Sequence, residues 1–322
     1  MTARFVVGKV LGALGTLAFV LCFNFFLFRI VEGDPVATLF RGRNLTPEQR
    51  ENLRVEFGLD GSLFEQFVRY LEQTVQLNLG RSYTTNQPVI DEIWEAMPAT
   101  LALVGIATIL STLFGLWIGT SAGWSRGTRR DHLLTSGSMV TWSTPEFWLG
   151  MILLTFFAAR LELFPTGGIS DPSSDASGVV KLADQAWHMF LPCVTLTVAY
   201  LGEYALIMRS SVVDVMREDY LTLARAKGLR DVQVRNRHAV RNALLPSTAL
   251  IAINFGFVIS GAITVETVFS WPGLGLLTFD ALRGPDLPML QGLFLVFSAA
   301  VILFNLAADL LYPYLDPRVR YR

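Results

Sequence analysis

The 322-residue chain is poor in charge, in lysine, in cysteine and in histidine. Only 16% of it is Asp, Glu, Lys or Arg, and Lys9, Lys181 and Lys227 are the only lysines among 26 basic residues. The rest are arginine, which reads as composition and not as mechanism. A net charge of −1 supplies no field for a polyanion, so no nucleic-acid partner is expected. Cys22 and Cys193 both fall inside apolar runs and read as small core hydrophobes, so neither a disulfide framework nor a metal cluster is available. His132, His188 and His238 stand far apart and read as loop or interface residues. The chain has no Gly-x-x-x-x-Gly-Lys-Ser/Thr segment to cradle phosphates, no His-Glu-x-x-His and no Gly-x-Ser-x-Gly. No catalytic, cofactor-binding or metal-binding residue is expected, so the chain is not expected to be an enzyme.

What the sequence does have is apolar length. Hydrophobic residues make up 52% of it, with a mean hydropathy of +0.44. A membrane span needs about 20 mostly apolar residues. Six runs qualify, near Val10–Ile30, Thr100–Ala122, Ser136–Leu161, Phe190–Met208, Leu250–Val268 and Leu290–Leu311. Arg4 and Lys9 precede the first run as in a signal peptide, but a small-residue cleavage site is lacking, so it reads as a retained span. Basic residues set the orientation. Arg4 and Lys9, then Arg126, Arg129 and Arg130, then a long basic loop after the fourth span, then Arg318, Arg320 and Arg322 all fall on one side. The alternate loops are poor in basic residues or acidic, as with Asp171, Asp175 and Asp184 against Lys181. The expectation is an all-α polytopic membrane protein with six spans and both termini cytoplasmic.

The most basic stretch runs from Asp219 to Pro246, DYLTLARAKGLRDVQVRNRHAVRNALLP, and carries Arg225, Lys227, Arg230, Arg235, Arg237 and Arg241. Val213, Met216, Tyr220 and Leu223 or Ala224 recur at helical spacing. Gly228 sits where a helix ends in a left-handed residue, Asp231 can cap a second short helix, and Pro246 separates that helix from the next apolar run. The stretch therefore reads as a helix–turn–helix on a cytoplasmic loop. A loop that only reversed direction could be far shorter, so docking to another protein is the expected role.

ARAKGL (Ala224 to Leu229) followed by RHAVRNALLP (Arg237 to Pro246) resembles the coupling loop of ABC importer permeases, in its dipeptide/oligopeptide branch. GDP (Gly33 to Pro35), FGLD (Phe57 to Asp60), QFVRYL (Gln66 to Leu71), MPATL (Met97 to Leu101), LFPTGG (Leu163 to Gly168), VETVFSWPGLG (Val265 to Gly275) and LDPRVRY (Leu315 to Tyr321) continue the resemblance in order. It implies the ABC importer permease fold, a bacterial cytoplasmic (inner) membrane location and ATP-driven import of peptides. The partners implied are a paralogous second permease subunit, two ATPase subunits that carry the ATP and Mg, and an extracytoplasmic substrate-binding protein. The coupling contact with an ATPase subunit would fall on Asp219, Tyr220, Ala224, Arg225, Ala226, Lys227, Gly228, Leu229, Arg237, His238, Arg241, Leu245 and Pro246. Relatives of this branch handle dipeptides, longer peptides, glutathione or chelated nickel. A secondary transporter driven by an ion gradient is the rival reading, opposed by the absence of a visible inverted repeat and of clustered mid-membrane carboxylates. An intramembrane enzyme is a more distant one.

The chain divides into a first span (1–30), an extracytoplasmic insertion (31–98), a permease core (99–312) with the loop at about 211–246, and a short tail (313–322). In the insertion, Thr46-Pro47-Glu48-Gln49 and Ser62-Leu63-Phe64-Glu65 are capping boxes, with Gly58 and Gly80 as stops. Phe64, Phe67, Val68, Leu71 and Val75 form one apolar face of the second helix. The small helical subdomain is either a lid or a platform for a delivery protein. Gly115, Gly119 and Gly123 leave one face of the second span bare, for close packing of another helix within the chain or at a dimer seam. Ser143, Pro145 and Glu146 mark a polar, proline-interrupted patch in the third span, either pathway lining or a packed bend. Asn254, Ser260 and Glu266 of the fifth span are further pathway candidates, and Glu266 could equally brace the following external loop. Asp309 is expected to be satisfied by a basic or backbone neighbour.

Overall fold

The structure, a computed structural model, describes residues 3–28, 46–49, 55, 60–171, 177–244 and 262–315, with side chains as far as residue 310. Two helices of 36 and 37 residues form its axis: α3 (Val89–Trp124) and α6 (Val179–Val215), following α1 (Ala3–Phe26) and α2 (Leu63–Val75), with α4 (Arg129–Ser143) and α5 (Glu146–Leu153) between them in sequence. At 1.5 Å per residue each axial helix is about 54 Å long, well beyond the ~30 Å hydrocarbon layer, so both project from it. They meet along the glycine face. A Cβ on Gly115 would stand 2.7 Å from the Leu201 carbonyl oxygen, and one on Gly123 2.8 Å from Val212 Cβ. On Gly119 it would collide with the Ala205 carbonyl. The three glycines are therefore an intramolecular seam.

The third expected span is split. α4 is capped by Thr128, whose hydroxyl accepts from Asp131 N–H, and it ends at Thr144-Pro145. The proline has no N–H to continue the ladder. α5 restarts at once and runs on as wider π-type turns over Leu154–Arg160. Four described helices are long and apolar enough to cross a membrane: Arg4–Phe26, Val89–Trp124, Val179–Val215 and Leu287–Leu310. The split explains why the third span is not among them. Most of the fifth expected span, including Asn254 and Ser260, lies outside the described residues.

Beyond the basic loop, with α7 (Asp219–Ala226) and α8 (Asp231–Gln233), come α9 (Ile263–Val268), α10 (Leu274–Arg283) and α11 (Leu287–Leu315). One core joins Leu103, Ala107, Leu196, Val265, Phe269 and Trp271 of α3, α6, α9 and the turn after it. A second packs Val89 and Ile93 of α3 against Leu274, Met289 and Leu293. α11 therefore starts beside the start of α3 and runs toward the end that carries the basic loop. Among the described residues there is no strand, only an isolated bridge between Arg81 and Pro88. The fold is all-α.

Both capping boxes form. Gln49 N–H donates to Thr46 Oγ1 (3.2 Å) while Thr46 N–H donates to Gln49 Oε1 (3.0 Å). Ser62 and Glu65 exchange the same pair at 2.7 and 3.3 Å. Gly58 lies outside the described residues, and α2 ends at Val75, short of Gly80. The expected apolar face of α2 needs correcting. Its packed side is Gln66, Phe67 and Tyr70, lying on Phe25 and Phe26 of α1, whereas Phe64, Val68 and Val75 are exposed. The aromatic ring of Phe67 and the hydroxyl of Tyr70, which accepts from Asn24 Nδ2 at 3.1 Å, decide which side faces the protein.

Candidate functional site

α6 leaves the bundle at Val215, and a tight turn (Arg217 N–H to Asp214 O, 3.1 Å; Glu218 N–H to Val215 O, 3.0 Å) redirects the chain into α7. The stripe from Val213 to Ala224 is thus carried by two helices, not one. α7 stops as the sequence predicts. Gly228 has φ +78°, Leu229 N–H reaches back to Ala224 O (3.4 Å) and Gly228 N–H to Arg225 O (2.9 Å), the paired bonds of a Schellman motif. Nothing stands within 4 Å of a Cβ at Gly228, so glycine is needed there for its backbone and not for space.

The second helix starts differently from expectation. Arg230 N–H donates to Gln233 Oε1 (3.1 Å), and Asp231 is the first helical residue and not the cap. α8 widens into π-type turns over Val234–Ala239 and continues helical to Leu244. Leu221, Ala224, Val234 and Ala239 form a small buried core between the two helices. Ala224 is accordingly inside the loop and cannot itself contact a partner, because its methyl group fills the space under Val234. Tyr220 clasps the helices from the side, its hydroxyl accepting from Asn242 Nδ2 at 2.8 Å.

The surface that remains is mixed. Asp219, Arg225, Ala226, Lys227, Gly228, Arg237 and Arg241 are exposed, and Leu229 and His238 are half-buried. Leu245 and Pro246 lie outside the described residues. Leu223 and Val232, 56% and 59% exposed, add an apolar component. Val232 was missed because a lone valine among charges gives no periodic signal.

Asp231, itself exposed, ties the loop to the bundle. Its Oδ2 accepts from Trp124 Nε1 at 2.7 Å, and Oδ1 lies 3.9 Å from Arg225 Nε. The Arg225 guanidinium stands 5.7 Å from the Trp124 ring centroid. Trp124 is the last residue of α3. The loop is thereby fastened to α3 as well as continuing from α6. Nearby, Arg209 of α6 forks onto Asp131 at the start of α4, with Nε to Oδ1 at 2.6 Å and NH2 to Oδ2 at 2.8 Å. The Arg209 hydrogen bonds, aided by Gly127 N–H and Thr135, hold the Asp131 carboxyl well below the usual carboxylate range despite burial. Sequence spacing gave no sign of this pair, whose partners are 78 residues apart. At the same end Lys9 of α1 meets Asp309 of α11 at 2.9 Å, the basic neighbour expected for Asp309.

The pathway candidates separate. Ser143 and Pro145 are exposed at the helix break. Glu146 accepts from Thr264 Oγ1 of α9 at 2.7 Å, with Tyr200 of α6 beside it. Glu266 is 0% exposed and its carboxylate is taken up within the chain, the bracing alternative of the two readings. Its Oε1 accepts from Thr100 Oγ1 (2.9 Å) and its Oε2 from Gly275 N–H (2.7 Å) and Leu276 N–H (3.2 Å). Thr100 Oγ1 in turn accepts from Leu274 N–H at 2.7 Å. With Trp271 Nε1 donating to Ala99 O (2.9 Å), this network pins the aromatic-Pro-Gly loop onto α3.

A polytopic helical membrane protein with a structured basic loop is what this fold and site define. The family described as the binding-protein-dependent transport system inner membrane component matches residues 111–321, and its N-terminal companion family matches residues 2–104. The chain belongs to that family of inner-membrane transport components. The di/tripeptide transport system permease protein DppB of Pseudomonas aeruginosa (strain UCBPP-PA14) is 35% identical over 315 residues, 93% of each chain. The glutathione transport system permease protein GsiC of Escherichia coli (strain K12) is 36% identical over 319 residues, 99% of each. In a solved structure of the MetNI methionine ABC transporter in inward-facing conformations, one chain aligns with a TM-score of 0.57 at 15% identity, over 70% of this chain and 96% of that one. That likeness carries the fold.

Proposed function

We propose that the chain is a permease subunit of an ATP-driven importer of peptides, itself without catalytic residues. In this reading the basic end faces the cytoplasm with both termini, as the arginine distribution favours. ATP, Mg and hydrolysis belong to two partner ATPase subunits, a second permease subunit completes the pathway, and an extracytoplasmic binding protein delivers the substrate. The observation that carries the reading is the helix–turn–helix of Asp219–Ala239, fastened to α3 through Trp124 and Asp231. Its exposed face combines Arg225, Lys227, Arg237 and Arg241 with Leu223 and Val232, a composition suited to an interface with a polar rim and an apolar centre. Because the loop continues from α6 and is pinned to α3, closure of the ATPase subunits would move both axial helices together and bias the permease between inward- and outward-facing states.

Dipeptides or short oligopeptides are the substrates this reading favours, since a di/tripeptide permease is 35% identical along almost the whole chain. Glutathione is the second reading, favoured by the similar match to a glutathione permease. ATP hydrolysis by the co-expressed complex in lipid discs separates them. The binding protein would be added with dipeptides, longer peptides or glutathione, and the class that stimulates hydrolysis is the substrate. In the same discs, Leu223→Glu should release the ATPase subunits. Trp124→Phe should keep them bound while lowering uptake per ATP hydrolysed. Full ATPase retention and full uptake in both variants would overturn the docking role of the loop.

A further inference from the structure

α2 has three faces, and only two of them are accounted for. Gln66, Phe67, Tyr70 and Thr74 lie on the side that packs against α1. Glu65, Arg69, Glu72 and Gln73 make a charged, hydrated side, where Arg69 pairs with Asp60 at 2.8 Å. The third face, a little over a quarter turn from the packed one, is Phe64, Val68, Leu71 and Val75, spaced i, i+4, i+7 and i+11. Phe64 is 74% and Val75 83% exposed, which no water-immersed helix of this length gains from.

The level of α2 is fixed by its neighbours. Asn24, two residues from the end of α1, donates to Tyr70 Oη (3.1 Å) and to the Gln291 carbonyl (3.2 Å), four residues after the start of α11. α2 therefore lies where two spans leave the apolar layer, at the end opposite the basic loop. Phe67 meets Phe25 edge-on there and stacks on Phe26. Among its described side chains α1 buries only Asn24 and Phe25, while Phe19, Phe23 and Phe26 stay exposed, so lipid reaches its outer side up to this level.

The geometry points to the outer-leaflet lipid surface as the occupant of this third face, with α2 lying in the membrane plane. Its apolar stripe enters the headgroup–acyl boundary and its charged side faces water. A helix of 13 residues is about 20 Å long and matches an interfacial segment, not a span. Amphipathic helices of this kind sink about 5–10 Å into that boundary. The consequence is an anchor. α2 is thereby held at a fixed depth beside α1 and cannot swing freely above the membrane.

The test uses the assembled complex in lipid discs, with Cys22→Ser and Cys193→Ala removing the native thiols. Single spin labels go at positions 64, 68 and 75, and at 65, 72 and 73 as the charged-side set. Collisions with oxygen, which concentrates in the bilayer, are compared with collisions with a water-soluble chromium chelate. On the stripe, oxygen collisions should exceed chelate collisions, and on the charged side the ratio should invert. Equal chelate access on both sides overturns the inference. So does a stripe shielded from both probes until the binding protein or the second permease subunit is removed, because the face then belongs to that protein. Independently, a lipid brominated near the top of its chains should quench Phe64→Trp more than one brominated at the chain ends. No quenching by either would also refute it.

Discussion

The two ends of this bundle are held by different chemistry. At the basic end, side chain meets side chain across elements: Asp131 with Arg209, Trp124 with Asp231, Lys9 with Asp309. At the opposite end, buried carboxylates hold backbone. Glu266 takes the N–H groups of Gly275 and Leu276. Asp286, also buried, takes Thr84 N–H (3.2 Å), Met289 N–H (3.2 Å) and the Ser82 hydroxyl (2.5 Å). A carboxylate bound to several backbone N–H groups fixes the course of a loop, because the donors cannot rotate away. Paired side chains fix helix to helix and leave the intervening loop free to move with them. If the basic loop docks as proposed, the difference suits one end that transmits a displacement and another that keeps its shape.

Between the ends runs the glycine seam, and closing it should damage both. Gly119→Ala puts a methyl group against the Ala205 carbonyl and 2.7 Å from Met208 Cβ. We expect a loss of about 3 kcal/mol, read as a lower thermal midpoint of the purified subunit and poor complex yield. Asp131→Asn is next. It leaves the Arg209 guanidinium without its anion in a partly buried site, at a cost of about 2–3 kcal/mol measured by denaturant unfolding. The sign with pH is definite. A carboxyl held below its ordinary value contributes its stability above about pH 4. That contribution should persist unchanged from neutral pH down to that point and fall away only in stronger acid.

Glu266→Gln tests the opposite end. The amide keeps the volume but cannot accept on both sides at once, so about 1–2 kcal/mol should be lost. Transport per folded complex should stay near normal, since the side chain braces a loop. A folded variant that had lost transport would return Glu266 to the pathway. Gly228→Ala should cost about 1 kcal/mol, the penalty of an L-residue at φ +78° with no steric clash to add to it. Smallest of all, Lys9→Met should change stability by less than about 1 kcal/mol, since both partners of that pair are over two-fifths exposed.

Much of the loop was legible because its signals are local. Gly228 ends α7 where the sequence says it must, since the left-handed backbone penalty is a property of the residue itself. The same holds for Pro145, which breaks the third span, and for the capping boxes at Thr46 and Ser62. Local signals misled where a face had to be chosen. Periodicity grouped Phe64, Phe67 and Val75 on one apolar face, yet the neighbouring Phe25 and Phe26 rings pack on Phe67 and Tyr70 and leave Phe64 and Val75 exposed. The family resemblance put Ala224 in the contact, and the packing of α7 on Val234 buried it.

By itself the sequence determined the apolar segments, the break at Pro145, the stop at Gly228, the bare glycine face and the basic loop, because each follows from the properties of residues near one another in the chain. The tertiary structure alone decided the partners. Asp131 and Arg209, Trp124 and Asp231, Thr100 and Glu266 are 78, 107 and 166 residues apart. A carboxylate carries no mark of which donor will satisfy it once buried. That choice is made when α4, the basic loop and α9 pack against α3 and α6 and bring those side chains within hydrogen-bonding reach.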